Sequence, residues 1–329
     1  MNIEQSGRIV CFGEVLLRLS APVGSRLTNA ANLAAQVGGA EANVAAALAQ
    51  LGHQVEMATA LPRSALGDLC EAELRRFGVG TRHVVRSEGR LGLYFLEPGA
   101  CDSSRVIYDR EQSAFALNSD RFDWAAMARS AGWFHVSGIS LALGDTAANS
   151  ALTAAEAFVE AGVPISFDVN HRSALWEGRS EGELARVKTL MSMANVVFAS
   201  AQDISRVLGN DLSDGVAAAK AAFDAFNRLQ FIASTQRSTD RLSARIDGRD
   251  ESHEAQPAPL GHIIDRIGSG DAFAGGVIDG LIRRLPLEQC ARRGLAAAFM
   301  KHSIAGDRWV GTLADLESFD PFASGDVVR

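Results

Sequence analysis

Asp265-Arg266-Ile267-Gly268-Ser269-Gly270-Asp271-Ala272-Phe273-Ala274-Gly275-Gly276 joins a glycine turn, a carboxylate and the start of a helix. Gly268 and Gly270 tolerate positive φ and carry no side chain, so successive backbone N–H groups can converge on an anion. From 272 to about 285, Phe273, Val277, Ile278, Leu281 and Ile282 recur at helical spacing, and Arg283, Arg284 and Pro286 close the segment. The helix therefore points its first, unpaired amides and about half a positive charge at the turn, a setting that suits a phosphate. Asp271 stands at that helix start, where the dipole is expected to keep it ionised, a base beside an anion hole. An aspartate that only caps a helix would look the same. No Gly-Lys pair exists anywhere in the chain, which removes a Walker A loop, and the glycines do not fit G-x-G-x-x-G.

Outside this stretch the composition sets bounds. A chain of 329 residues, 47% hydrophobic, can bury a large core. Net charge is −7 and basic residues are scattered, so neither nucleic acid nor an anionic membrane is implied as partner, and small molecules are. Lys188, Lys220 and Lys301 are the only lysines, and the first two lie on helical segments, which argues against Schiff-base chemistry. Cys11, Cys70, Cys101 and Cys290 are too far apart for a C-x-x-C pair, and no histidines stand at metal-ligand spacing; they read as buried thiols. Neither a signal peptide nor an apolar run of about 18 residues is found, so a cytoplasmic protein is expected.

Ile9-Val10-Cys11-Phe12 reads as a buried strand, and residues 14–19 alternate as a half-exposed one. Gly38-Gly39-Ala40-Glu41-Ala42-Asn43 opens an alanine-rich helix that stops at Gly52. Two alternating runs, 91–96 and 105–108, form a hairpin. Strands are expected at 54–61, 133–139, 165–169, 196–199, 231–234 and 242–246, and helices at 68–77, 124–131, 146–161, 183–193 and 287–302. Such alternation means parallel strands with crossover helices, and ligands then bind beyond the carboxyl ends of the strands. Among strand-end residues Arg172 stands out, as does Arg110 after the hairpin. A guanidinium grips a carboxylate by two parallel hydrogen bonds, so an acidic small molecule is implied.

The turn at 265–271 resembles the signature of the ribokinase-like (PfkB) carbohydrate kinases, Asp-Thr-x-Gly-Ala-Gly-Asp, with Arg266 and Ser269 in place of commoner residues. Gly38 to Asn43 matches the family's first signature. The Asp-Arg-Ile-Gly form, Gly92-Leu93-Tyr94, Tyr108-Asp109-Arg110, Ser137-Gly138-Ile139 and Asp168-Val169-Asn170-His171-Arg172 resemble the 2-keto-3-deoxygluconate kinases within it. The resemblance implies one domain over 1–329, a three-layer α/β/α sandwich with a mostly parallel central sheet and a small β-sheet lid built from about 14–37 and 88–115. It implies transfer of the ATP γ-phosphoryl group to the 6-hydroxyl of 2-keto-3-deoxygluconate. Asp271 would be the base, with Gly268, Ser269 and Gly270 beside it. Gly38, Gly39, Asn43, Tyr94, Tyr108, Arg110, Ile139 and Arg172 would meet the sugar acid, and Ser200, Thr235, Gly268, Gly270 and His302 the nucleotide. Magnesium would involve Asp203, in a Ser200-Ala201-Gln202-Asp203 segment that replaces the family's Asn-x-x-Glu. His302, Ser303, Ala305 and Gly306 lie where the family closes around adenine and a monovalent cation such as potassium. The lid is implied to pair with a second subunit in a homo-oligomer. A kinase of fructose or of another keto-deoxy acid, or a sugar-binding relative without catalysis, stays open, the last because Ser200 to Asp203 and Thr235 to Thr239 depart from the family pattern.

Overall fold

Ile9 and Cys11 on one side of the first strand, and Val10 and Phe12 on the other, are all buried, as in a strand covered on both faces. The computed structural model describes residues 7–99, 104–176, 182–212 and 214–322. The first half contains β1 (Arg8–Phe12), β2 (Leu16–Ser20), β3 (Ala34–Gly38), α1 (Ala40–Gln50), β4 (Val55–Pro62), α2 (Ala65–Arg76), β5 (Val84–Ser87), β6 (Leu93–Glu97), β7 (Arg105–Asp109), α3 (Ala114–Asn118), α4 (Trp124–Ala128), β8 (Ala131–Ser137), α5 (Gly138–Ala142) and α6 (Asp145–Glu160). The second contains β9 (Ile165–Asp168), α7 (Ser173–Trp176), α8 (Gly182–Met193), β10 (Val196–Phe198), α9 (Ala201–Leu208), α10 (Gly215–Ala225), β11 (Phe231–Arg237), β12 (Arg241–Gly248), β13 (Ser252–Pro259), α11 (Ser269–Ile282), α12 (Leu287–His302) and α13 (Leu313–Ser318).

Among the described residues the large sheet has nine strands in the order β13-β12-β11-β10-β9-β8-β1-β4-β5. Phe12, Phe134, Val136, Ile165 and Phe167 point to one face and are buried with residues of α4, α5, α6 and α8. Cys11, Met57, Trp133, Val196 and Ala233 point to the other and are buried with α1, α11 and α12. The three-layer α/β/α arrangement is as expected. The small sheet, β3-β2-β6-β7, stands apart and uses the segments assigned to the lid. Its β6–β7 pair is the expected antiparallel hairpin, with Tyr94 opposite Tyr108. Cys11, Cys70 and Cys290 are free and buried, and Cys101 falls outside the described residues.

Several expectations need correction. The central sheet is mostly parallel, as expected, but its end at β11, β12 and β13 is an antiparallel meander, and the last of these strands was not anticipated. The run at 252–259 carries Pro257 and Pro259 and no clear alternation, which hides an edge strand from pattern reading. Helix α9 was not foreseen, and α10 only as the helical segment that carries Lys220. The strand expected to reach residue 139 stops at Ser137, whose hydroxyl caps α5 at the Ile139 amide.

Gly275 and Gly276, quoted above beside the turn, serve packing. A Cβ on Gly276 would stand 2.7 Å from the Arg293 carbonyl oxygen, and one on Gly294 would stand 2.7 Å from Phe273 and Val277, so α11 and α12 approach backbone to backbone. Replacing glycine by alanine in a helix gains roughly 0.5–1 kcal/mol of propensity. Overpacking against an immovable carbonyl costs about 1–3 kcal/mol. The second effect wins, so Gly276→Ala should lower the melting temperature in a thermal unfolding scan, and a rise would contradict the contact.

Candidate active site

The carboxyl ends of β9, β10 and β11, the amino ends of α1 and α11 and the inner face of the small sheet surround a cavity of about 610 Å³. Small-molecule sites fall at roughly 300–1,000 Å³. Both helices enter it without a side-chain cap. Gly39 (φ 137) precedes α1 and Gly268 (φ 81) precedes α11. Each glycine is required twice over, by its left-handed φ and by a neighbour: a Cβ would collide with the Glu14 carbonyl at Gly39 and with the Asp307 carbonyl at Gly268. Gly268, Ser269, Gly270 and Asp271 all line the cavity, so the first-turn amides of α11 border it as the sequence suggested.

Asp271 lies inside the first turn of α11, because the helix begins at Ser269. Its Oδ2 accepts a hydrogen bond of 2.6 Å from Asn43 Nδ2 on α1. Burial pushes its pKa up to about 8, with Asp168 and Asp307 adding in the same direction and the Asn43 bond and Arg172 opposing. The expectation that the dipole keeps Asp271 ionised is therefore corrected: desolvation of this half-buried carboxylate, with other carboxylates nearby, outweighs half a charge at the helix end. Asp168, at the end of β9, is likewise pushed up to about 7, first by burial. Asn170 follows with φ 40, donating its amide to Asp168 Oδ1 at 3.0 Å. The Oδ1 atoms of Asn43 and Asn170 are buried without a partner, which leaves two acceptors for ligand hydroxyls.

The small sheet closes the cavity with Tyr94, Tyr108 and, just beyond β7, Arg110. Two of these side chains are engaged. Tyr94 donates its hydroxyl to Asp307 Oδ2 at 2.7 Å, and Arg110 Nε donates to the buried Glu14 Oε2 at 2.5 Å. Arg110 thus has a carboxylate of its own, whereas Arg172 lines the cavity and donates only at 3.4 Å to the His171 carbonyl. Arg18 of β2 reaches from the small sheet to both Asp307 (2.8 Å) and Asp265 (2.5 Å).

Gly39, Asn43, Tyr94, Tyr108, Arg110, Ile139, Arg172, Ser200, Asp203 and Thr235 border the cavity with the α11 turn, as the sequence predicted. Gly38 and His302 do not. Gly38 ends β3 with its Cα against the Asp307 carboxylate. His302 is buried, with Nδ1 donating to the Ala298 carbonyl, so its Nε2 accepts from Arg237, and burial lowers its pKa to about 4. Asp203 is engaged as well: its Oδ2 accepts from the Ser200 amide and hydroxyl in a capping box that starts α9, and Oδ1 faces Arg206. Among the described residues no group of three His, Cys, Asp or Glu side chains could hold a metal ion. Sequence reasoning missed Arg18, Asp307 and Lys301. Arg18 carried a signal, a charge inside Leu16-Leu17-Arg18-Leu19, while Asp307 carried none.

Residues 6–307 match the family model described as pfkB family carbohydrate kinase. The chain belongs to this family. It is 33% identical over 315 residues to the 2-dehydro-3-deoxygalactonokinase of Haloferax volcanii, covering 95% of this chain and 96% of that one. It is 29% identical to fructokinase-1 of Zea mays over 84% of this chain and 83% of the relative. Among solved structures, the 2-dehydro-3-deoxygluconokinase of Thermotoga maritima superposes with a TM-score of 0.88 at 34% identity, covering 94% of this chain and 98% of that one. The pfkB assignment makes the protein a carbohydrate kinase. No described helix is long and apolar enough to cross a membrane.

If Asp271 is the base, it must be deprotonated to act, and activity should fall as pH drops through its pKa. With Asp271 near 8 and Asp168 near 7, kcat/KM should climb with pH from 6 to 8.5, the apparent values belonging to the pair. Asn43→Ala removes a bond that lowers the Asp271 pKa, so its pH–rate profile should move to higher pH. A profile that is flat, or that moves the other way, would count against Asp271 as the base.

Proposed function

We propose that this chain transfers the γ-phosphoryl group of ATP to the 6-hydroxyl of 2-keto-3-deoxygluconate. The observation that carries the chemistry is the Asn43-held carboxylate of Asp271 in the uncapped first turn of α11, inside the cavity. Asp271 orients the primary hydroxyl and takes its proton. The hydroxyl oxygen bonds to the γ-phosphorus as the bridge to the β-phosphate breaks and ADP leaves. Amides from Gly268 to Asp271 stabilise the charge spread over the transferring group. A pKa near 8 makes Asp271 a stronger base than an ordinary aspartate, while a loose transition state asks for the proton late, so positioning counts as well. Ser200, Thr235 and Arg237 line the part of the cavity reached from β10 and β11, where the nucleotide would lie. Asp203 does not fit as a magnesium ligand, since the capping box holds its carboxylate. Magnesium enters this scheme only with the nucleotide, as part of the substrate.

Arg172 supports a sugar acid over a neutral sugar, because its guanidinium borders the cavity beside Asn170. The names of the relatives at 33% and 34% identity, a galactonokinase and a gluconokinase of 2-dehydro-3-deoxy acids, support the same class. The first of them favours one alternative, the galacto epimer as substrate.

Asp271→Asn should lower kcat by about 100-fold or more with little change in KM, in keeping with loss of a general base. Near-normal turnover in that variant would remove Asp271 from its role. Arg172→Ala should raise KM for 2-keto-3-deoxy acids by about tenfold or more, the worth of a charge-assisted hydrogen bond, and leave turnover of fructose almost unchanged. Coupled ADP-release assays on a panel of gluco and galacto acids and neutral ketoses measure both. Equal losses on acids and ketoses would set Arg172 aside as the acid-reading group. Arg110→Ala is the poorer probe, because it strands the buried Glu14 carboxylate at a cost of about 3–5 kcal/mol.

A further inference from the structure

Lys301 is fully buried in the last turn of α12, behind the catalytic turn. A buried ammonium is costly unless it is paired, so its partners explain its presence. Its Nζ donates to the Ile304 carbonyl at 2.8 Å and to the Asp265 carbonyl at 3.3 Å. These oxygens belong to two separate loops, one leaving α12 and one entering the turn that ends at Gly268. The same loops are joined by the amides of Ile264 and Asp265, which donate to the His302 carbonyl, and by Gly306, whose amide donates to Asp265 Oδ2. Lys301 also sits at a helix carboxyl end, where a positive charge is favoured.

The resemblance puts a monovalent cation at this place, beside Ser303, Ala305 and Gly306. The residues present do not fit one. Two converging carbonyls that could coordinate a bare cation already accept from Lys301. Charge is balanced too: Arg18 and Lys301 stand against Asp265 and Asp307, so an added cation would leave the cluster positive. An ammonium and a potassium ion are close in size and equal in charge.

We propose that Lys301 is a tethered cation that holds the turn at 265–268 in the place of a free potassium or sodium ion, so that this kinase needs no monovalent cation for activity. Lys301 is a positioning residue: it touches neither substrate nor nucleotide, and acts by fixing the Asp265 carbonyl three residues before Gly268. Burial lowers its pKa from the ordinary lysine value, and the carboxyls of Asp265 and Asp307 oppose that shift.

The first test uses the wild-type protein with tetramethylammonium, too large for the site, as the only monovalent cation. Adding KCl, NaCl or NH4Cl at constant ionic strength should change turnover by less than about twofold and leave the melting temperature where it was. The melting arm needs no sugar, so it stands whichever carbohydrate is phosphorylated. A saturable gain in turnover or melting temperature with potassium overturns the proposal. The second test separates charge from packing. Lys301→Ala removes both and opens room for an ion, so its turnover should fall about tenfold or more and recover with KCl or methylammonium chloride. Lys301→Met keeps most of the volume, and the same salts should not restore it. A folded Lys301→Ala protein of normal turnover, or one that no cation restores, also overturns the proposal, and if this variant does not fold the wild-type arms decide.

Discussion

The hydrogen bond from Asn43 to Asp271 ties together the amino ends of two helices that are distant in sequence, and the site depends on that meeting. A helix end is a weak electrostatic device by itself, about half a charge that fades within one turn. Two of them converging on one cavity, both started by glycines with left-handed φ and both without a side-chain cap, make a place where negative charge is favoured. The same convergence buries the carboxylate between them, which raises its affinity for a proton. One geometry thus joins two uncapped helix ends to a carboxyl of raised proton affinity, and neither feature would survive if α1 and α11 moved apart. Gly275, whose Cα lies close to Ala47 of α1, sets how near they come.

A second set of contacts fixes the small sheet relative to this centre. Arg18 spans from β2 to Asp265 and Asp307, and Tyr94 of β6 reaches the same Asp307. Buried ion pairs of this kind add little net stability, because desolvation offsets most of the attraction. Their value is directional. Each guanidinium hydrogen bond has a narrow geometry, so the small sheet is registered against the glycine turn across the cavity.

Much of this was legible in the sequence. The buried strands announced themselves as apolar runs, and the glycine turns could be read because left-handed φ and close approach leave little choice of residue. The cavity gathers Asn43, Arg172 and Asp271 as their motifs suggested. What escaped were properties that belong to pairs of residues. Arg110 looks like a free cation in sequence and is the partner of Glu14, 96 positions away. Asp203 looks like a metal ligand and is a helix cap, and His302 looks like a nucleotide contact and is held by Ala298 and Arg237. The ionisation of Asp271 was misjudged for a related reason, since the helix dipole is local and visible while the desolvation imposed by the folded cavity, and after it the approach of Asp168, is not. The antiparallel meander was lost to a different cause: β13 is too polar and too rich in proline to show a strand's alternation.

That unpromising strand has a consequence for life in a crowded solution. A nine-stranded sheet offers two open rows of backbone donors and acceptors onto which another chain could grow. At one border β13 interrupts the row with Pro257 and Pro259, which have no amide to give, and surrounds it with Glu251, His253 and Glu254. At the other, β5 is only four residues long. Both borders are poor templates, so a protein whose core is a broad apolar sheet resists edge-to-edge aggregation, and the features that made its last strand hard to recognise are the ones that keep it from recruiting its neighbours.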